Sequence, residues 1–431
     1  MNTTLIFVAI VVFSFALGNF ITRFASRYVV LSGAEYLVVG LLLGPHVGLD
    51  VVGQAQLGML EPVVSLLLGL AGFLVGIRAK NVLVDPERTA LGFASALATV
   101  LVFAAAFLPI LDRTIAPKQR GPGFEVNETL FTIGGYAFEV YFTSENLWLS
   151  LALGAAACVA TANWVDSFKR TFNANGPVTT LIECSAHASQ IVAVLVLGFV
   201  LATMRATSQE NPWGLSIAEW DMAAVGGSIV CGLLFSLFIG HEQGTSKVFV
   251  ASVGLVTFAA GAGSALGISP LFVNLIAGLT VAFTSSHAKR LHEELDRLQH
   301  PLLVLMMIFA GARWVPPDDV WLWALPVFYA TLRYIVRRAA TRALAAASGD
   351  ASLRVPKLGD GLMGQGTLAI AIAIELSIRF PGHASWVLTT VLFGTLLNDL
   401  WSRGALRSLL AEAGELDVRP ANSTPSEEQQ A

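Results

Sequence analysis

Charge is what this sequence has least of. Only 13% of its 431 residues are Asp, Glu, Lys or Arg, where a soluble globular domain carries about 25%. So little charge cannot cover a fully water-exposed surface, which excludes an ordinary soluble enzyme or scaffold. A basic excess is also missing: the net charge is −4 and no basic stripe occurs, so nucleic acid is not an expected partner. Cysteine is scarce, and Cys158, Cys184 and Cys231 all fall inside apolar runs. They read as small core residues and not as a disulfide framework. No Ser/His/Asp, metal-ligand or phosphate-loop spacing occurs, so neither enzymatic activity nor a cofactor or resident metal is expected. The opening MNTTLIFVAIVVFSFALGNF has no basic segment and no small-residue cleavage site before its apolar run, and it reads as a first span and not as a removable signal.

What fills the chain is apolar. Hydrophobic residues make up 55% and mean hydropathy is +0.68. They fall in runs at Leu5–Thr22, Tyr28–Val47, Leu57–Gly76, Thr89–Leu111, Leu147–Phe168, Pro177–Thr203 and Met222–Gly240. Further runs follow at Val248–Leu266, Pro270–Ser285, His300–Ala312, Val320–Val336, Gly361–Ile378 and Ser385–Leu400. About twenty such residues cross a hydrocarbon core of roughly 30 Å as a helix, and lipid tolerates no unpaired backbone, so the runs are helical. The expected fold class is an all-α polytopic membrane protein with about 13 transmembrane helices. With that count, Lys and Arg divide 6 to 19 between alternate loops, Arg333 alone lying within a span. The positive-inside rule then puts the N-terminus outside and the C-terminus in the cytoplasm of a bacterial inner membrane.

The transmembrane part is expected over 1–411. Residues 112–146 form an outer loop holding a hairpin or an interfacial helix, His287–Gln299 (HAKRLHEELDRLQ) an amphipathic linker on the inner face, and 412–431 a polar, disordered cytoplasmic tail. Two halves, about 28–203 and 269–405, repeat. EYLVVGLLLGP resembles PLFVNLIAGLTVA, and the next span of each half ends in a Gly-x-Arg triplet, Gly76-Ile77-Arg78 and Gly311-Ala312-Arg313. The two intervening spans make the halves inverted in the membrane, as in many secondary transporters. In corresponding spans the apolar run is interrupted, by Thr161-Ala162-Asn163 and by Gly364-Gln365-Gly366-Thr367. Paired breaks mark a transporter's binding site, because they expose helix ends near the midplane; close Gly/Ala helix packing is the competing explanation.

In this order EYLVVGLLLGP, GISPLFVNLIAGLTVAFTSSHAKRL, LVLMMIFAGARW and GQGTLAIAIAIEL resemble the cation:proton antiporter superfamily, over nearly the whole chain. The resemblance implies a homodimer with a dimerisation domain, a mobile core in which the two broken helices cross, and alternating access that exchanges a monovalent cation, Na⁺ or K⁺, for protons. It implies that the span from Pro177 binds the ion. The chain departs from that pattern twice. Thr161 is kept, but Ala162 and Asn163 stand where the family has Asp and Pro; Ser185-Ala186-His187-Ala188-Ser189-Gln190 stands where it has an acidic pair. A basic residue expected near the crossing is kept as Arg333.

Antiport needs a group that holds either a cation or a proton, and a carboxylate in a low-dielectric site suits this. Glu183, His187 and Gln190 share one helical face at i, i+4 and i+7, roughly 9 Å and 15 Å into the span for the first two. His187 is the candidate proton carrier and Glu183 the cation ligand or relay, with Thr161, Asn163, Ser189 and Gln190 as polar partners; a purely structural Glu183–His187 pair remains open. Arg333 either neutralises the carbonyl ends of the broken helices or snorkels toward the cytoplasm with Arg337 and Arg338. Asp166 either serves the helix N-terminal ends or pairs with Lys169 or Arg170. Glu375 either lines the pathway or is structurally paired. Asp399 and Glu61, near span ends, are expected at the headgroups. Two further functions stay open: an uncoupled relative acting as sensor or partner subunit, and an organic-anion transporter on the same fold.

Overall fold

The computed structural model describes residues 33–82, 85–111, 128–133, 136–141, 144–162, 165, 166, 169, 174–207, 214–239, 245–285, 288–317, 319–347, 355 and 357–416. The expected first span, Leu5–Thr22, lies outside them, as do Asn163 and residues 417–431. The helices are α1 (Ala34–Leu43), α2 (Glu61–Val82), α3 (Pro86–Ile110), α4 (Ser144–Cys158), α5 (Pro177–Thr207), α6 (Ile217–Ile239) and α7 (Thr245–Leu266). They continue with α8 (Pro270–Thr284), α9 (Ala288–Asp296), α10 (Gln299–Arg313), α11 (Leu325–Ala347), α12 (Gly366–Arg379) and α13 (Ala384–Glu412). Among the described residues, α2, α3, α5, α6 and α7 are long and apolar enough to cross a membrane alone, and α12 and α13 form a pair bent by 117°. Within 112–146, β1 (Glu128–Ile133) pairs antiparallel with β2 (Tyr136–Tyr141), so this part of the connection is a hairpin.

Local chemistry sets the helix starts. Asp85 accepts from Arg88 N (3.2 Å) with Pro86 in the first turn of α3, and Ser269 accepts from Phe272 N (3.1 Å) ahead of Pro270 in α8. A short acceptor followed by proline satisfies donors that a helix start leaves unpaired. Two helices outrun their apolar stretches: α11 continues past Val336 to Ala347, and α13 past Leu400 to Glu412. Helical hydrogen bonding does not require apolar side chains, so arginines mark the end of the lipid-like stretch and not of the helix. Residues 412–416, expected in the disordered tail, are thus among those with a defined place. Glu415 is placed at the start of α5, where its carboxylate accepts from Val178 N (2.8 Å), Thr179 N (2.7 Å) and Thr179 Oγ1 (2.7 Å). That is a charged N-terminal cap, and a side chain at Gly176 would collide with it.

The helices sort into two bundles by whom they touch. In one, α8 packs on α2, α6 and α7, and α10 on α1; in the other, α3, α4, α5, α11, α12 and α13 pack on one another. Two close helix approaches recur in the bundle built on α2 and α8. Added Cβ atoms at Gly72 and Gly76 of α2 would overlap the carbonyls of Leu271 and Leu275 in α8, while those at Gly40 of α1 and at Gly44, just past its end, would overlap Ile308 and Ala312 of α10. Small residues let apolar helices approach closely where the hydrophobic effect cannot drive association. The two Gly-x-Arg triplets are reciprocal as well. Arg78 at the end of α2 pairs with Asp296, just before α10, and Arg313 at the end of α10 pairs with Glu61 at the start of α2 (3.5 Å).

These contacts predict that Gly40→Val and Gly72→Val each destabilise the protein by about 1–3 kcal/mol. Gly254→Ala, which faces open space, should lose nothing. Thermal unfolding in detergent checks this; if the two valine variants melt with wild-type protein, the paired close approaches are not structural.

Candidate functional site

In α4 the helix ends at Cys158 and the chain has no regular structure through Val159–Thr161, while a short 3₁₀ turn (Leu358–Leu362) leads through 363–365 into α12. The two breaks touch: Thr161 N donates to Gly364 O (2.8 Å). Gly366 opens α12 at φ +66°, a left-handed conformation that favours glycine, and a Cβ there would press on Thr161 Oγ1 at 3.1 Å.

Ends of helices inside an apolar bundle need partners, and charged side chains provide most of them. Arg333, fully buried, donates from Nε to Ala157 O (2.8 Å) and from Nη2 to Val159 O (2.6 Å) at the first break. From the same group it reaches Met363 O (2.6 Å, Nη1) and Leu362 O (2.9 Å, Nη2) at the second. Arg337 donates to Cys158 O. Neither arginine snorkels: both sit where helix C-terminal carbonyls accumulate negative potential. On the amide side, Asp399 accepts from Gln365 N (2.9 Å) and Ser189 Oγ from Ala160 N (3.1 Å). Asp399, expected at the headgroups, is only 4% exposed and lies at the crossing. It was missed because the apolar run ends beside it while α13 continues for three more turns.

Side-chain amides complete the crossing. Gln365 Nε2 donates to Ala156 O (3.0 Å) and Tyr329 Oη (2.8 Å), and its Oε1 accepts from Asn398 Nδ2 (3.2 Å). Gln190 Nε2 donates to Ala160 O (3.0 Å). Between the two bundles lies a cavity of about 60 Å³. Thr161, Gln190, Gln365 and Thr367 line it from one bundle, Arg78 and Gln299 from the other.

The remaining sequence-derived candidates separate into two places, neither lining this cavity. Glu183 forms an ion pair with Lys169 (2.6 Å), and carboxylate oxygens of Glu183 and Asp166 lie with a ring nitrogen of His187 within 4.8 Å of one another. Glu375 is buried at the far end of α12 from the break, near Ser269 and Arg379. Its carboxylate makes no hydrogen bond of normal geometry among the described residues.

Neither protein-family models nor curated proteins match the sequence. Among solved structures, the sodium proton antiporter MjNhaP1 from Methanocaldococcus jannaschii at pH 8 aligns with a TM-score of 0.68 at 16% identity, over 95% of this chain and 100% of that one. An electron-microscopy structure of the same antiporter aligns at 0.60 and 14% identity, over 96% and 99%. This chain has the sodium/proton antiporter fold. The antiporter fold and the apolar helices together make it an integral membrane protein.

The crossing predicts that Arg333→Lys destabilises the antiporter fold by roughly 2–4 kcal/mol although the charge is kept. A lysine cannot span four carbonyls on two segments, and each buried acceptor left unpaired costs about 1–3 kcal/mol. A lysine variant melting with wild-type protein in detergent would show that charge alone, without the guanidinium fork, holds the breaks together.

Proposed function

We propose that this protein is a secondary transporter exchanging a monovalent cation, Na⁺ or K⁺, for protons by alternating access. The reading is carried by one observation: the polar cavity lies where two broken helices cross and also between two helix bundles. Moving one bundle against the other changes which side of the membrane such a cavity faces. Oxygens of Thr161, Thr367, Gln190 and Gln365 offer hard ligands for a partly dehydrated alkali cation. Gln190 lies one turn along α5 from His187, and in the proposal the Glu183–His187 pair carries the exchanged proton while Asp166 shares its charge. Asp399 holds the α12 end in place. The repeat units 28–203 and 269–405, a homodimer, and an inner-membrane location with a cytoplasmic C-terminus belong to the same proposal.

The same cavity leaves a second reading to test. A guanidinium, Arg78, lines it and no carboxylate does so among the described residues, but Arg78 is already paired with Asp296, so an organic anion would have to compete with that carboxylate.

Proteoliposomes loaded with a pH dye separate the two readings. Added Na⁺ or K⁺ should move protons against the imposed gradient, and Thr161→Val with Gln365→Leu should abolish that movement. Glu183→Gln with His187→Gln should abolish it too, with the protein still folded. Absence of cation-driven proton movement in the wild-type protein sinks the exchange, and movement only with an organic anion present establishes the second reading. Unchanged exchange in the Glu183/His187 double variant removes that pair from the mechanism.

A further inference from the structure

We propose that Asp166, Glu183 and His187 form a binding site for a divalent first-row transition-metal ion of the Zn²⁺ or Co²⁺ class. The inference goes beyond the transport reading and does not need transport to occur. It concerns the side of α5 that turns toward the segment following the first break, not the cavity at the crossing.

Three observations meet at this place. Two carboxylate oxygens and one imidazole nitrogen lie within 4.8 Å of one another. They come from two separate stretches of chain: Glu183 and His187 from successive turns of α5, Asp166 from the segment after the break. Ligands at i and i+4 share a helix face, and a third from another segment closes the site on its open side. A metal bound at about 2.0–2.2 Å from each ligand requires them to draw together by little more than an ångström. Next, His187 is 7% exposed and its ring makes no hydrogen bond among the described residues. Buried polar groups are normally paired, and the groups placed within reach of this buried imidazole are two carboxylates, an arrangement that a shared cation completes. Finally, the place already attracts a cation, since the Lys169 ammonium sits 2.6 Å from Glu183.

Donor chemistry decides which ion. Alkali cations, Mg²⁺ and Ca²⁺ take oxygen ligands and gain little from imidazole, whereas Zn²⁺, Co²⁺ and Ni²⁺ bind it well. The cavity at the crossing offers only amides, hydroxyls and a guanidinium, so the two places select different ions. The two carboxylates match a divalent charge, and an incoming metal displaces Lys169 from Glu183. Arg78 and His292 also face His187 at longer range, so binding here is weaker than at a site free of cations. By joining Asp166 to α5, the bound metal ties the segment after the break to the helix beside it.

The test uses purified full-length protein in detergent, stripped with chelator and titrated with Co²⁺. Wild-type protein is expected to show saturable visible absorption from a single bound ion, and Zn²⁺ should displace the Co²⁺ and raise the melting temperature. Loss of an outer-shell partner alone costs ten- to a hundredfold in metal affinity, so His187→Ala should lose on the order of a hundredfold or more. Lys169→Met, which removes the competing ammonium, should bind more tightly than wild-type protein. No saturable Co²⁺ signal in either wild-type or Lys169→Met protein overturns the site. Unchanged affinity in His187→Ala overturns it too; should that variant not fold, unchanged affinity in Glu183→Gln does the same. None of these readouts involves ion flux, so a failed site and a failed exchange reading are told apart.

Discussion

A helix that stops inside an apolar bundle leaves carbonyl and amide groups with no partner on its own chain, and lipid supplies none. Each such group, left unpaired, costs several kcal/mol. Two helices stop in this protein at the same place, and one guanidinium collects carbonyls from both: Ala157 and Val159 from one break, Leu362 and Met363 from the other. Arg333 therefore holds the crossing together as well as balancing its potential. The breaks could not approach with a smaller cation between them, because only a planar fork with five donors reaches carbonyls on two sides at once. Everything placed by the crossing, including the Thr161–Gly364 contact and the lining of the cavity, follows from that buried arginine.

The amide side of the crossing is informative. Two different helices serve the two breaks, α5 through Ser189 at Ala160 N and α13 through Asp399 at Gln365 N. One break is met by a neutral hydroxyl and the other by a carboxylate. The acidic residues that the family resemblance would place at Ala162 and around Ser189 are absent, yet the crossing still holds a negative charge, carried by α13. Two buried arginines and one buried aspartate leave the balance to the carbonyl dipoles, which is a reason for both C-terminal ends to be gathered so tightly.

Much of this architecture was legible because its causes are local. The two Gly-x-Arg triplets stand out in the sequence, and the structure uses their arginines reciprocally in the Arg78–Asp296 and Arg313–Glu61 pairs. Gly364-Gln365-Gly366 announced a break because glycine tolerates the left-handed turn at Gly366. What escaped depended on groups brought from far along the chain. Asp399 and Arg337 were read as lying near membrane edges, since hydropathy falls there; but α11 and α13 continue, and burial at those positions is set by tertiary packing. Glu415 sat in a segment whose composition resembles disorder, and only the open start of α5 gives its carboxylate a purpose. Lys169 meets Glu183 of α5, a contact that no periodicity in either segment reports.

Charge placement also bears on how the two bundles could slide. At the cavity, the bundle of α4, α5 and α12 presents only Thr161, Gln190, Gln365 and Thr367, which are neutral dipoles. The facing bundle presents Arg78, already neutralised by Asp296 on α9. The Glu183–Lys169 pair and the Arg333 and Asp399 contacts each lie wholly within the bundle of α4, α5 and α12, so relative motion would break none of them. A net charge dragged across an apolar seam would face a desolvation cost of several kcal/mol. On the proposed reading that cost falls on the cargo, whose charge the cavity oxygens solvate during passage.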